Sequence, residues 1–119
     1  MKNYIEYDEE ADVLVLRKAN ETIVESINDR YICLLGLNEQ KQIIGLEFLS
    51  FRKTFQIPLS LLNHLADCDV HIHYEHEAKL LSIRLKLFYK TEKETISLPV
   101  SIGMGQNDFI LSNFAFALA

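Results

Sequence analysis

Three of the chain's four histidines stand within six positions, in the stretch HIHYEHEA at residues 71–78. His71 and His73 are two apart, so on a strand both rings leave the same face. Such a pair can converge on a zinc ion at about 2.0–2.1 Å per bond, with His76 or Glu75 as a third donor. The competing reading is a polar strand face that carries imidazoles. A second cluster is acidic: Asp8, Glu9, Glu10 and Asp12 in YDEEAD. A calcium loop needs oxygen ligands at regular spacing and a glycine at its sharp bend, and this stretch has no glycine. A solvated hairpin turn fits it better. Cys33 and Cys68 lack CxxC spacing, and Cys33 falls in an apolar stretch where a thiol is usually inert. A Cys68–His71 pairing is a weaker candidate. No nucleophile elbow, P-loop, GxGxxG fingerprint or HExxH motif is present. The expectation is a non-enzymatic protein with no cofactor.

Composition narrows the choice further. With 119 residues, 49% hydrophobic and 24% charged, the chain fits one domain with its own core. Net charge is −5, and the twelve Lys and Arg residues stand singly or in pairs. Nucleic-acid affinity rests on neutralising phosphates with a basic face, so no nucleic-acid partner is expected. No run reaches the roughly 18 apolar residues of a membrane span. The start MKNYIEYDEE turns acidic where a secretion signal would be apolar. A cytoplasmic protein with two free thiols is therefore expected.

The elements that would carry these residues are mostly strands. Ile5 and Tyr7 alternate with Tyr4 and Glu6, DEEAD turns the chain, and VLVLR is apolar on both faces, as in a central strand. RYICLLGL and QIIGLEFLSF flank NEQK, which reads as a second hairpin with a four-residue connection. In IPLSLLNHLADCD, Leu61, Leu62 and Leu65 take helical spacing after Pro58, predicting a helix over about 58–66. Strands resume with DVHIHY, with KLLSIRLKLF and with TISLPVSI, whose Pro99 suits an edge or a bulge. GMGQND is a loop, and FILSNFAFALA is a last strand with a candidate bulge at LSN.

An ungapped internal match decides between the two readings of the histidines. Residues 3–17 and 70–84 align at a constant offset of 67, with Ile5/Ile72, Tyr7/Tyr74, Glu10/Glu77, Ala11/Ala78, Leu14/Leu81 and Arg17/Arg84 identical. His71, His73 and His76 then stand opposite Tyr4, Glu6 and Glu9. Ile5 and Tyr7 mark the core face, which turns His71 and His73 outward as plain polar surface, with no metal. The chain reads as a single domain, 1–119, of two tandem related β-units, about 1–55 and 70–119. Each is too small to hold a core alone, and the pair would pack about a pseudo-two-fold. Arg17 and Arg84, matched in both units, could each pair with Glu10 or Glu77.

The first unit resembles a family of small prokaryotic domains of unknown function with the signature Y-D-x-E-A-D-x-L-Y-I-R followed by G-I-E-I-L. Here it stands as Tyr7, Asp8, Glu10, Asp12 and Arg17, then Gly45 and Glu47, over about residues 3–50. The sequence departs from it at Val15, where the family has an aromatic, at Gly36 for an aspartate, and at Lys41 for the turn glycine. A degenerate second copy, 70–119, has Lys79 where Asp12 stands. The role of the signature residues is unknown. Some members of that family neighbour small toxin genes, which implies an antitoxin-like role by analogy.

The fold expected is α+β and mostly antiparallel. The function expected is a protein-interaction module whose partner is another protein or a second copy of itself. The tail NFAFALA is apolar almost to its end, and a strand of that kind seldom faces water, so a homodimer through its sheet is expected. The alternative is a metal- or small-ligand-binding protein using the His71, His73 and His76 surface.

Overall fold

Period-two alternation builds two antiparallel sheets. The computed structural model describes residues 3–28, 33–90, 95–103 and 114–117. Strands β1 (Tyr4–Asp8), β2 (Val13–Arg17), β3 (Glu25–Asn28), β4 (Cys33–Leu37) and β5 (Ile43–Phe48) form the first sheet in the order β1-β2-β5-β4-β3. Helices α1 (Phe51–Phe55) and α2 (Leu59–Leu62) follow. Strands β6 (Leu65–Glu75), β7 (Leu80–Tyr89), β8 (Thr95–Gly103) and β9 (Phe114–Ala117) form the second sheet in the order β8-β7-β6-β9.

The apolar faces of both sheets share one core. Leu14, Leu16, Leu46 and Phe48 enter it from the first sheet, and Val70, Ile72, Leu81, Ile83, Leu85 and Leu87 from the second. Phe51 and Leu62 from the helices close it. Along β7 the alternation is complete, with Arg84 and Lys86 exposed between buried leucines and isoleucine. β2 lies between β1 and β5, as its two apolar faces require. Pro99 sits on β8, an edge strand, where proline is tolerated. From the tail, Phe116 is buried and β9 pairs with β6, while β1 approaches β9 from the first sheet. Both cysteines are buried, and neither is in a disulfide.

Three expectations need correction. The single helix over 58–66 is replaced by two short ones, because the chain turns helical already at Phe51 and β6 begins at Leu65. Leu65 and Cys68 are core residues of that strand, not of a helix face. The FLSF stretch, read as strand, ends its strand at Phe48. The connection between β4 and β5 runs from Asn38 to Gln42, one residue longer than expected. Buried Asn38 organises it: its Nδ2 donates to Gln42 Oε1 at 2.7 Å, and its Oδ1 accepts the N–H groups of Gln40 and Gln42 at 3.0 Å. Most of GMGQND, the LSN bulge and the end of the tail lie outside the described residues.

The two matched hairpins have the same register. Tyr4↔Arg17, Ile5↔Leu16 and Tyr7↔Leu14 in β1–β2 become His71↔Arg84, Ile72↔Ile83 and Tyr74↔Leu81 in β6–β7. Each turn ends on a left-handed residue at the matched place, Asp12 at φ 54° and Lys79 at φ 53°. Tyr7 and Tyr74 are both half-buried against the core. Beyond the hairpins the surroundings diverge. β1 ends its sheet whereas β6 has β9 beside it, and β2 neighbours β5 whereas β7 neighbours β8.

Candidate functional site

The signature residues separate into two groups. Asp12 and Tyr7 form a clamp on α1. Ser50, at the start of that helix, makes no side-chain cap. Asp12 caps the helix from the β1–β2 turn, 40 positions earlier in the chain. Its carbonyl accepts the Phe51 N–H at 3.0 Å, Oδ1 accepts the Arg52 N–H at 2.7 Å, and Oδ2 accepts the Lys53 N–H at 3.1 Å. These are N–H groups that a helix cannot satisfy internally. The Tyr7 hydroxyl also donates to Asp12 Oδ1, at 2.7 Å. The Tyr7 ring lies against Phe51 with centroids 6.5 Å apart, and Phe51 in turn contacts Phe48 and Phe55. Burial pushes the Tyr7 phenol up, and its hydrogen bond to Asp12 and that residue's charge push it further, to about 12. Burial also works against ionisation of Asp12. The Tyr7 hydroxyl and the Arg52 and Lys53 N–H groups outweigh it and hold the carboxyl below its ordinary range. Asp8 stabilises the turn itself, its Oδ1 accepting the Ala11 N–H at 3.0 Å, and Glu10 is exposed within it.

Arg17, Gly45 and Glu47 form the second group, on the face of the first sheet away from the core. Arg17 lies opposite Gly45, Gly45 opposite Gly36, and Gly36 opposite Ser26. The 18–24 segment, which carries the chain from β2 to the far edge of the sheet, passes over this row. Its Ile23 side chain occupies the notch that the two glycines leave. A Cβ on Gly36 would stand 2.6 Å from Ile23 Cδ1, and one on Gly45 3.2 Å from it. The segment is tied down by Lys18 N–H to the Ile44 carbonyl and Val24 N–H to the Leu37 carbonyl, both 2.9 Å. Beside it opens a cleft of about 450 Å³, lined by Arg17, Glu21, Ile23, Ser26, Leu34 and Glu47 among others.

The expected ion pairs of Arg17 and Arg84 with Glu10 or Glu77 are not formed. Arg17 lies opposite Tyr4 at the open end of its hairpin, while Glu10 is in the turn at the other end. The matched register separates Arg84 from Glu77 in the same way. His71 and His73 are exposed on the outer face of β6, opposite Arg84 and Ser82. His73 Nε2 is 3.5 Å from Glu75 Oε2, and the His76 ring packs edge-on against Tyr74 at 4.9 Å. Among the described residues no three His, Cys, Asp or Glu side chains gather as an ion site. Burial raises the Cys68 thiol to about 12, which keeps it protonated and unreactive at neutral pH.

Residues 4–52 match a family described as "Protein of unknown function (DUF2283)". The matched stretch runs from the start of β1 to Arg52, so it ends where the Asp12 clamp closes on α1. Comparison with curated proteins and with solved structures found no match. No helix among the described residues is long and apolar enough to cross a membrane. Sequence reasoning missed the cap and the Ile23 notch. The signal for the first was an aspartate at the end of one turn and a helix start without its own cap. Nothing local marks the second.

Proposed function

We propose that this chain is a non-enzymatic protein-interaction module that binds its partner on the outer face of the first sheet. One observation carries the reading. Three of the signature residues, Arg17, Gly45 and Glu47, line one cleft beside β3, an edge strand of that sheet. Edge strands and open sheet faces are a common means of peptide recognition. Val24, 56% exposed, stands at the same margin as the exposed large hydrophobic among the described residues. An antitoxin-like role in the cytoplasm accords with this reading by analogy with the resembling family. We also infer that the chain descends from a duplicated β-unit arranged about a pseudo-two-fold, with the matched hairpin registers and left-handed turn residues as support. Self-association through the sheet that carries β9 belongs to the same proposal, and sedimentation across micromolar to millimolar concentration tests it.

The interaction itself is tested by placing a photo-cross-linking residue at Leu34, on the cleft, and at Lys86, on the outer face of the second sheet, in the producing cells. A discrete protein adduct at Leu34 that is absent at Lys86, and whose purified partner then binds the purified chain, supports the proposal. Equal labelling of one other protein from both positions, or none at Leu34, rejects it, whereas a self-adduct at Lys86 bears on self-association alone.

A further inference from the structure

Glu47 is an unusual neighbour for the residues around it. Its cross-strand partners are Val15 on β2 and Leu34 on β4, and all three side chains are half-buried on the outer face. Beyond Val15 the same row continues to Glu6 on β1. Carboxylate and aliphatic side chains thus alternate across four strands. Among the described residues the Glu47 carboxylate has neither a hydrogen bond nor an ion pair. A half-buried glutamate set between two aliphatic side chains offers a cationic partner both a counter-charge and apolar cover. Arg17 lies in the adjoining row, opposite Gly45, and forms no ion pair with it.

We infer that this row seats a lysine or arginine side chain of an extended partner segment, with Glu47 as its counter-charge. The inference rests on the protein-interaction reading above and names the chemistry of the partner. The stem of such a side chain is apolar and its head cationic, so Val15 and Leu34 can cover the stem while Glu47 meets the head. The chain's net charge of −5 favours the approach of a basic segment. Glu6 and Glu47 stand two strands apart, about 9–10 Å at ordinary strand spacing. Two cationic residues three apart in a polyproline-type segment are separated by about 9 Å on one side, which matches that distance.

The test uses two capped peptides, one containing Lys-Pro-Pro-Lys and one containing Glu-Pro-Pro-Glu, titrated into the labelled full chain and followed by amide chemical shifts. The expected result is saturable shifts in β2, β4 and β5 with the lysine peptide alone. These should weaken at least fivefold in Glu47→Gln and in 0.5 M salt, and Glu47→Lys should transfer the preference to the glutamate peptide. Circular dichroism of each variant checks that it is folded. Equal response to both peptides, or a lysine response that survives Glu47→Gln, overturns the inference. So does silence with both peptides. The cross-linking result at Leu34 is independent of all these outcomes, so loss of the basic-segment inference is distinguishable from loss of the interaction reading.

Discussion

The β1–β2 and β6–β7 hairpins share a register, a turn length and a left-handed residue before the second strand, but only the first acts as a clamp. At the matched position Asp12 holds the start of α1 and the Tyr7 hydroxyl, whereas Lys79 is an exposed turn residue. The backbone of the hairpin is therefore set by its own alternation and turn. What the hairpin does for the rest of the molecule depends on which element is brought against its turn.

The largest test probes what the hairpins have in common. Leu14 and Leu81 are matched, and both are fully buried. Leu14→Ala and Leu81→Ala should each cost about 2–5 kcal/mol, as transfer loss plus cavity. Chemical denaturation that shows less than about 1 kcal/mol at either would break the equivalence of the two core faces.

The next test probes the difference. Replacing Asp12 by glycine keeps the left-handed backbone but removes three hydrogen bonds made by its side chain, and should cost about 1–2 kcal/mol. At Lys79 the same change removes only the steric cost of a side chain at φ 53°, offset in part by the entropy of glycine, and should stabilise by about 0.5 kcal/mol. Opposite signs in the shift of the urea midpoint support the contrast, and equal signs remove it.

Smaller effects come from titration of the clamp. The Asp12 carboxyl lies below its ordinary pKa of 3.8 in the folded state. Its contribution is therefore present above that value and lost as pH falls through the folded pKa. The Tyr7 phenol is raised from 10.0 to about 12, so its contribution is present below pH 10 and lost as pH rises toward 12. Asp12→Asn should flatten the acid limb of the stability profile and Tyr7→Phe the alkaline limb, measured as urea midpoints against pH. Unchanged limbs would show that the clamp does not couple to folding.

The smallest effect is expected at Lys41, a left-handed residue at φ 63° in the β4–β5 connection that pairs its Nζ with Glu25. Lys41→Gly relieves the backbone but loses an exposed ion pair worth little. A net change within about 0.5 kcal/mol is expected in either direction, and a loss above about 1 kcal/mol would show that the pair matters more than its exposure suggests.

Much of the scaffold was legible in the sequence. Alternation placed β2 centrally, turned Leu81, Ile83, Leu85 and Leu87 inward, and turned His71 and His73 outward. Pro99 marked an edge. The helical stretch was legible only in part, because Leu61, Leu62 and Leu65 satisfy a helix spacing that a short helix followed by a core strand satisfies equally well. β3 escaped notice because ESIN carries one apolar residue in four. The ion pairs of Arg17 and Arg84 failed for a geometric reason, since residues near in sequence lie at opposite ends of a hairpin once its register is fixed.

By itself the sequence determined the strand faces, the turns and the likeness of the two hairpins, since side-chain period and turn chemistry act over a few residues. The tertiary structure alone decided that Asp12 caps a helix beginning at Phe51, that Ile23 fills the notch between Gly36 and Gly45, and that Arg17 and Glu47 line one cleft. Those arrangements join segments some ten to forty residues apart. No local pattern encodes them, because they depend on how the 18–24 segment crosses the sheet and on where α1 packs against the core.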